Sequence, residues 1–113
     1  MTINILGTEY IIEVKQPGED KQLEVCDGYC DWTTRHIAVL DPKPDGNSVK
    51  DMEAYKRKVM RHEITHAFLF ESGLMNNTNQ GESGGAYDEQ FVDWFAIQGP
   101  KIYAAWQAVG AVE

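Results

Sequence analysis

The character of the chain changes once, at Ser48, and that change limits what it can fold into. Before it, residues alternate as in strands. Ile3-Asn4-Ile5-Leu6 and Tyr10-Ile11-Ile12-Glu13-Val14 flank Gly7-Thr8-Glu9, a hairpin turn. Leu23-Glu24-Val25-Cys26 reads as another strand, closed by the Asp27-Gly28 turn signal. Thr33 to Leu40 is rich in β-branched residues and reads as a strand, and Asp41-Pro42-Lys43-Pro44-Asp45-Gly46 then breaks the chain. After it, Ser48-Val49-Lys50-Asp51 resembles a capping box, and helical spacing runs to Gly73, giving a helix of about 24 residues. A polar loop occupies Met75 to Gly85. A second helix is expected from Ala86 to Gln98, ended by Gly99, and a third from Pro100, whose missing donor suits a first turn, to Gly110. Strands first and helices later make the class α+β: a small antiparallel or mixed sheet, then a long helix and two further helices.

The 113 residues fit a single domain, 1–113. With 42% hydrophobic and 11% aromatic residues, they suffice for one modest core. No apolar run approaches the roughly 18 residues of a membrane span. The N-terminus lacks a basic n-region and a long apolar h-region, so a cytoplasmic location is expected. A net charge of −8 argues against nucleic acid as a direct partner, because phosphate binding is mostly neutralisation by Lys and Arg. The one basic cluster, Lys56-Arg57-Lys58 with Arg61, reads as the solvated side of a helix. Zinc ribbons need two cysteine pairs; the lone pair Cys26 and Cys30 reads as two reduced thiols near a turn.

The long helix carries the chemistry. Lys58, Arg61, Thr65 and Ser72 share one stripe, assigned to solvent, and Val59, Met60, Ile64, Ala67 and Phe70 lie off it. Glu63 falls nearly opposite that stripe, His66 turns inward, and His62 sits on the shoulder. His62-Glu63-Ile64-Thr65-His66 is an H-E-x-x-H motif. Four residues of helix return two imidazoles to one face, where both reach a single Zn2+ ion. Glu63, one step round, can touch a water beside that ion without ligating it. Neutral nitrogen ligands, an open coordination position and a nearby carboxylate are what zinc-assisted hydrolysis needs, with Glu63 as general base.

A third protein ligand is required. The metzincin extension needs Gly at position 69 and His at position 72, and Leu69 and Ser72 exclude it. Glu71 reads as a surface carboxylate and Glu82 lies in the polar loop. Glu89 and Asp93 stand one turn apart at the border of the second helix's apolar face. Glu89 is the expected third metal ligand, Asp93 the residue behind it accepting a ligand N–H, and Asp88 the runner-up. Tyr87, Tyr103 and His36 are candidates for stabilising the oxyanion.

His62-Glu63-x-x-His66 followed by Glu89-x-x-x-Asp93-x-Phe95-Ala96 resembles the ImmA/IrrE-like metallopeptidases, within the gluzincin group that includes thermolysin. The resemblance covers roughly Val39 to Ala96. It departs at Asp93, where ImmA/IrrE-type members commonly carry Asn. It implies a minimal zincin fold and a zinc metallopeptidase that hydrolyses a peptide bond in a polypeptide, of a kind often encoded by phages and prophages. In such enzymes an edge strand aligns the substrate, and the strand around Arg35 to Leu40 is the candidate here. Two other readings share these residues: a zinc-stabilised interaction module that never turns over, and a zinc amidase acting on a non-protein substrate. Glu63 discriminates against the first, since a purely structural site needs no base and would use a fourth ligand.

Overall fold

A two-residue turn starts the architecture. In the computed structural model, which describes residues 1–43, 50–75 and 89–112, β1 (Thr2–Ile5) and β2 (Thr8–Lys15) pair antiparallel across Leu6-Gly7. Both turn residues have positive φ, 52° and 93°, the geometry that matches strand twist in a tight hairpin. Asn4 Oδ1 accepts the Gly7 N–H at 2.8 Å and holds it. Alternation then does the sorting: Ile3, Ile5, Tyr10 and Ile12 are buried while Asn4, Glu9, Ile11 and Glu13 face water.

Residues 23–26, expected as a strand, enter a 3-10 turn at Lys21–Glu24. Asp20 causes this, since its side chain accepts the Gln22 N–H at 3.0 Å and so competes for backbone donors that a ladder would use. Leu23 is buried, whereas Val25 is 87% exposed, so the local pattern has no strand face to bury. Gly28, expected in a turn, opens β3 (Gly28–Asp31). The turn comes later, at Trp32 to Arg35, where Asp31 Oδ1 accepts the Thr33 N–H at 3.0 Å, and β4 spans His36–Leu40.

The sheet order is β1-β2-β4-β3, with β2 and β4 parallel and the other pairs antiparallel. This corrects the assignment of 35–40 as an edge strand. β4 is bonded on both sides, so it cannot accept a further strand; the free edges belong to β1 and β3.

The helix α1 (Met52–Glu71) is capped by Asp51, whose side chain accepts the Ala54 N–H at 3.0 Å. Ser48, the expected start, lies outside the described residues. Gly73, at φ 84°, ends the helix in the left-handed region. Val59, Met60, Ile64, Ala67 and Phe68 pack on one face of the sheet, against Ile5, Tyr10, Ile12, Ile37 and Val39. Glu71 is not a plain surface carboxylate: it accepts the hydroxyl of the fully buried Tyr10 at 2.8 Å.

Two helices are present among the described residues, not three. The helix α2 (Glu89–Ala108) passes straight through Gly99-Pro100. Pro100 removes one intrahelical bond, a cost of about 3 kcal/mol. Packing overrides it, because Trp94, Ile102, Ala105 and Trp106 stay in phase across the proline and bury against the same core. α2 also covers part of the α1 stripe assigned to solvent. Trp94 Nε1 donates to Ser72 Oγ at 2.9 Å, and Arg61 Nη1 donates to the Ala111 carbonyl at 2.8 Å. The two helices therefore run antiparallel. No helix among the described residues is long and apolar enough to cross a membrane.

Candidate metal centre

Midway along α1, two imidazoles meet. His62 and His66 are four residues apart, and helix geometry stacks their side chains one above the other. Their Nε2 atoms are 3.1 Å apart, with ring centroids 4.7 Å apart and ring planes at 71°. Two nitrogens each about 2.05 Å from one tetrahedral ion would stand about 3.3 Å apart, so the pair already has nearly the spacing that a shared zinc requires. Burial, and then the charge of His62, lowers the pKa of His66, which favours the neutral imidazole that a metal needs.

Glu63, one step round the helix, turns into the protein beside the two imidazoles. Its residue is 7% exposed, and burial alone pushes its carboxyl up to about 7; no cation or donor among the described residues offsets the lost hydration. One ligand atom each from His62, Glu63 and His66 lie within 4.8 Å of one another, so this group can hold a metal ion. Imidazole and carboxylate donors with an open side suit a divalent cation such as zinc.

Two cavities meet at His62. The larger, about 350 Å³, lies between α1 and α2 and is walled by His62, His66, Thr65, Leu69 and Trp106. The smaller, about 160 Å³, lies between α1 and the start of β3, where Asp27, Gly28 and Val59 surround Glu63 and His62. A water occupies about 30 Å³ of liquid, so there is room for one beside the carboxylate.

Gly28 makes that closeness possible. A Cβ there would stand 2.7 Å from Val59 Cγ1, 3.1 Å from the Ala38 carbonyl oxygen and 3.2 Å from Glu63 Cγ. Gly28→Ala is therefore expected to destabilise the fold by about 1–3 kcal/mol through overpacking, read as a lower denaturation midpoint at unchanged m-value. An unchanged midpoint would show that β3 is not seated this tightly on α1.

The other expected site residues fare differently. Glu89 opens α2, but the side chains of Glu89 and Asp93 lie outside the described residues, as do Asp88, Tyr87 and Glu82. The backbone of α2 is informative. Trp94 meets Ser72, six residues past His66 and so about 9 Å further along α1. Glu89 comes five residues before Trp94, in the first turn of α2. His36 is removed from the oxyanion candidates: it sits on the outer face of the sheet, beside Glu13 Oε1 at 3.0 Å and against Tyr29. Tyr103 is exposed on α2 and lines neither cavity at His62.

Cys26 and Cys30 are both free thiols. Burial, and then the nearby Glu63 charge, pushes the Cys30 thiol up to about 12, so without a metal it stays protonated. Sequence reasoning missed Gly28, Leu69, Trp106 and Lys58 as site-lining residues. Helical spacing could have flagged Lys58, which is one turn before His62. The contributions of Gly28 and Trp106 depend on contacts distant in sequence.

Compared with protein families, with curated proteins and with solved structures, the chain finds no match.

Proposed function

We propose that the protein is a zinc-dependent peptidase with a minimal zincin architecture of the ImmA/IrrE-like, gluzincin type. The observation that carries this reading is the pair of Nε2 atoms 3.1 Å apart with the Glu63 carboxylate buried next to them and a cavity beside it. His62 and His66 hold the ion through neutral imidazoles, leaving coordination positions open to solvent. Zinc, when bound, supplies a Lewis acid that polarises the substrate carbonyl and acidifies water. Glu63 then accepts the proton of the attacking water at a carboxylate oxygen and delivers it to the departing amine. The substrate is a polypeptide lying along a free sheet edge. The edge next to the site is β3, whose first residue, Gly28, lines the smaller cavity with Glu63.

The third ligand in this reading is Glu89, with Asp93 behind it. Glu89→Ala should weaken zinc binding by about two orders of magnitude in a competition titration with a chelator. Unchanged affinity would transfer the role to Asp88 or Asp93. The test of the whole reading is cleavage profiling of a proteome with the wild-type chain against Glu63→Gln: cuts that require Glu63 are expected. If no peptide bond is cut while zinc is bound, the non-catalytic module replaces this reading; hydrolysis of non-protein amides alone would favour the amidase.

A further inference from the structure

The basic cluster on α1 is the part of the sequence that the metal site leaves unused, and the fold divides its four cations. Lys56 is neutralised, with Nζ 3.2 Å from Asp41 Oδ1 and 3.1 Å from Glu53 Oε2. Arg61 is committed to the Ala111 carbonyl, tying the C-terminal segment to α1. Arg57 is half-buried. Lys58 alone of the four is exposed. It makes no ion pair among the described residues, and its ammonium rests 5.7 Å above the centroid of the Tyr55 ring.

Position makes this lysine notable. It stands one turn before His62 on the same side of α1. It lines both the larger cavity, with His62, His66, Leu69 and Trp106, and the smaller one, with Asp27, Gly28 and Glu63. Lys58 and His62 are the two side chains common to both. An uncommitted cation at the junction of two cavities, in a chain of net charge −8, is a local attraction for an anionic group. Its flexible stem lets the ammonium leave the Tyr55 ring, and a bound segment covering the cleft would displace water and strengthen the charge contact. Behind it, Leu69 and Trp106 give the larger cavity apolar walls.

Resting on the peptidase reading, we infer that Lys58 determines substrate choice: it selects polypeptide segments bearing a carboxylate close to the cleaved bond, with an apolar side chain seated between Leu69 and Trp106. Lys58 is a recognition residue here and takes no proton in the reaction.

The test uses zinc-loaded full-length Glu63→Gln protein, which binds without cleaving, and fluorescent ten-residue peptides with a central Leu flanked by Glu or by Lys. Anisotropy titration should show the Glu peptide binding about tenfold more tightly than the Lys peptide. Adding Lys58→Glu should reverse that order, and Lys58→Met should abolish it. Lys58 is exposed, so these variants are expected to fold, which circular dichroism checks. Leu69→Trp, which fills the cavity, should remove any preference for Leu over Ala at the centre while keeping the preference for Glu. A Glu preference that survives Lys58→Glu would overturn the inference. Charge-blind binding would also overturn it, and with Glu63-dependent wild-type cleavage intact the peptidase reading would stand. Failure to bind any peptide or to cleave any protein would remove both.

Discussion

His62→Ala and His66→Ala should each leave the purified protein without zinc, where the wild-type chain should hold about one ion per molecule. Structural zinc sites release about 10–16 kcal/mol over four ligands, so each ligand accounts for about 3 kcal/mol, or two to three orders of magnitude in affinity. Metal analysis after dialysis against a weak chelator would read the loss directly. Heat stability should follow it: at zinc a thousandfold above its dissociation constant, binding adds about 4 kcal/mol, and neither variant would show that gain. The bland alternative is specific. Two Nε2 atoms at 3.1 Å can simply share a proton as a hydrogen bond. In that case the wild-type protein stays zinc-free under the same dialysis, and the metal reading ends there.

Glu63→Gln should keep the zinc and lose hydrolysis by a factor of about 10²–10⁴, the usual contribution of a positioned general base. The amide preserves the shape of the side chain but cannot accept the proton. Full activity in this variant would falsify the assignment of the base. The same substitution has a second effect, measurable without metal. Burial raises the folded-state carboxyl from 4.5 to about 7, so folding favours the protonated form. The associated stability is fully present below about pH 4.5 and is lost as pH rises through about 7. At 1.36 kcal/mol per pH unit, the metal-free wild type should be up to about 3 kcal/mol less stable at pH 8 than at pH 4 on this account. Gln does not ionise. Metal-free Glu63→Gln should therefore lack this pH slope and exceed the wild type at pH 8, with the gap closing near pH 4, in urea titrations at the two pH values. Parallel pH profiles for the two proteins would mean that Glu63 is hydrated in the folded chain.

Local rules governed the parts of the chain whose causes are local. The hairpin of Ile3 to Val14 was legible because alternating apolar residues and a glycine turn act within a dozen residues, although the turn closes one step earlier, at Leu6-Gly7. The inward turn of Glu63 followed from helical spacing alone. Where two local signals competed, the reading failed. Asp20 capped a 3-10 turn where β-branched Val25 had suggested a strand, and Pro100 suggested a helix start that the apolar phase of α2 overruled.

The sequence by itself determined the α+β order, the helical frame of His62, Glu63 and His66, and the chemical kind of ligand they can offer, because these depend on neighbours within a turn or two. Only the tertiary structure decided which strand has a free edge. A parallel pairing of β2 with β4 depends on a crossover that no local pattern encodes, and it leaves β3, not residues 35–40, beside the site. It likewise decided the lining of the cleft, since Gly28, Trp106 and Glu63 are drawn together by the burial of a core shared among distant segments.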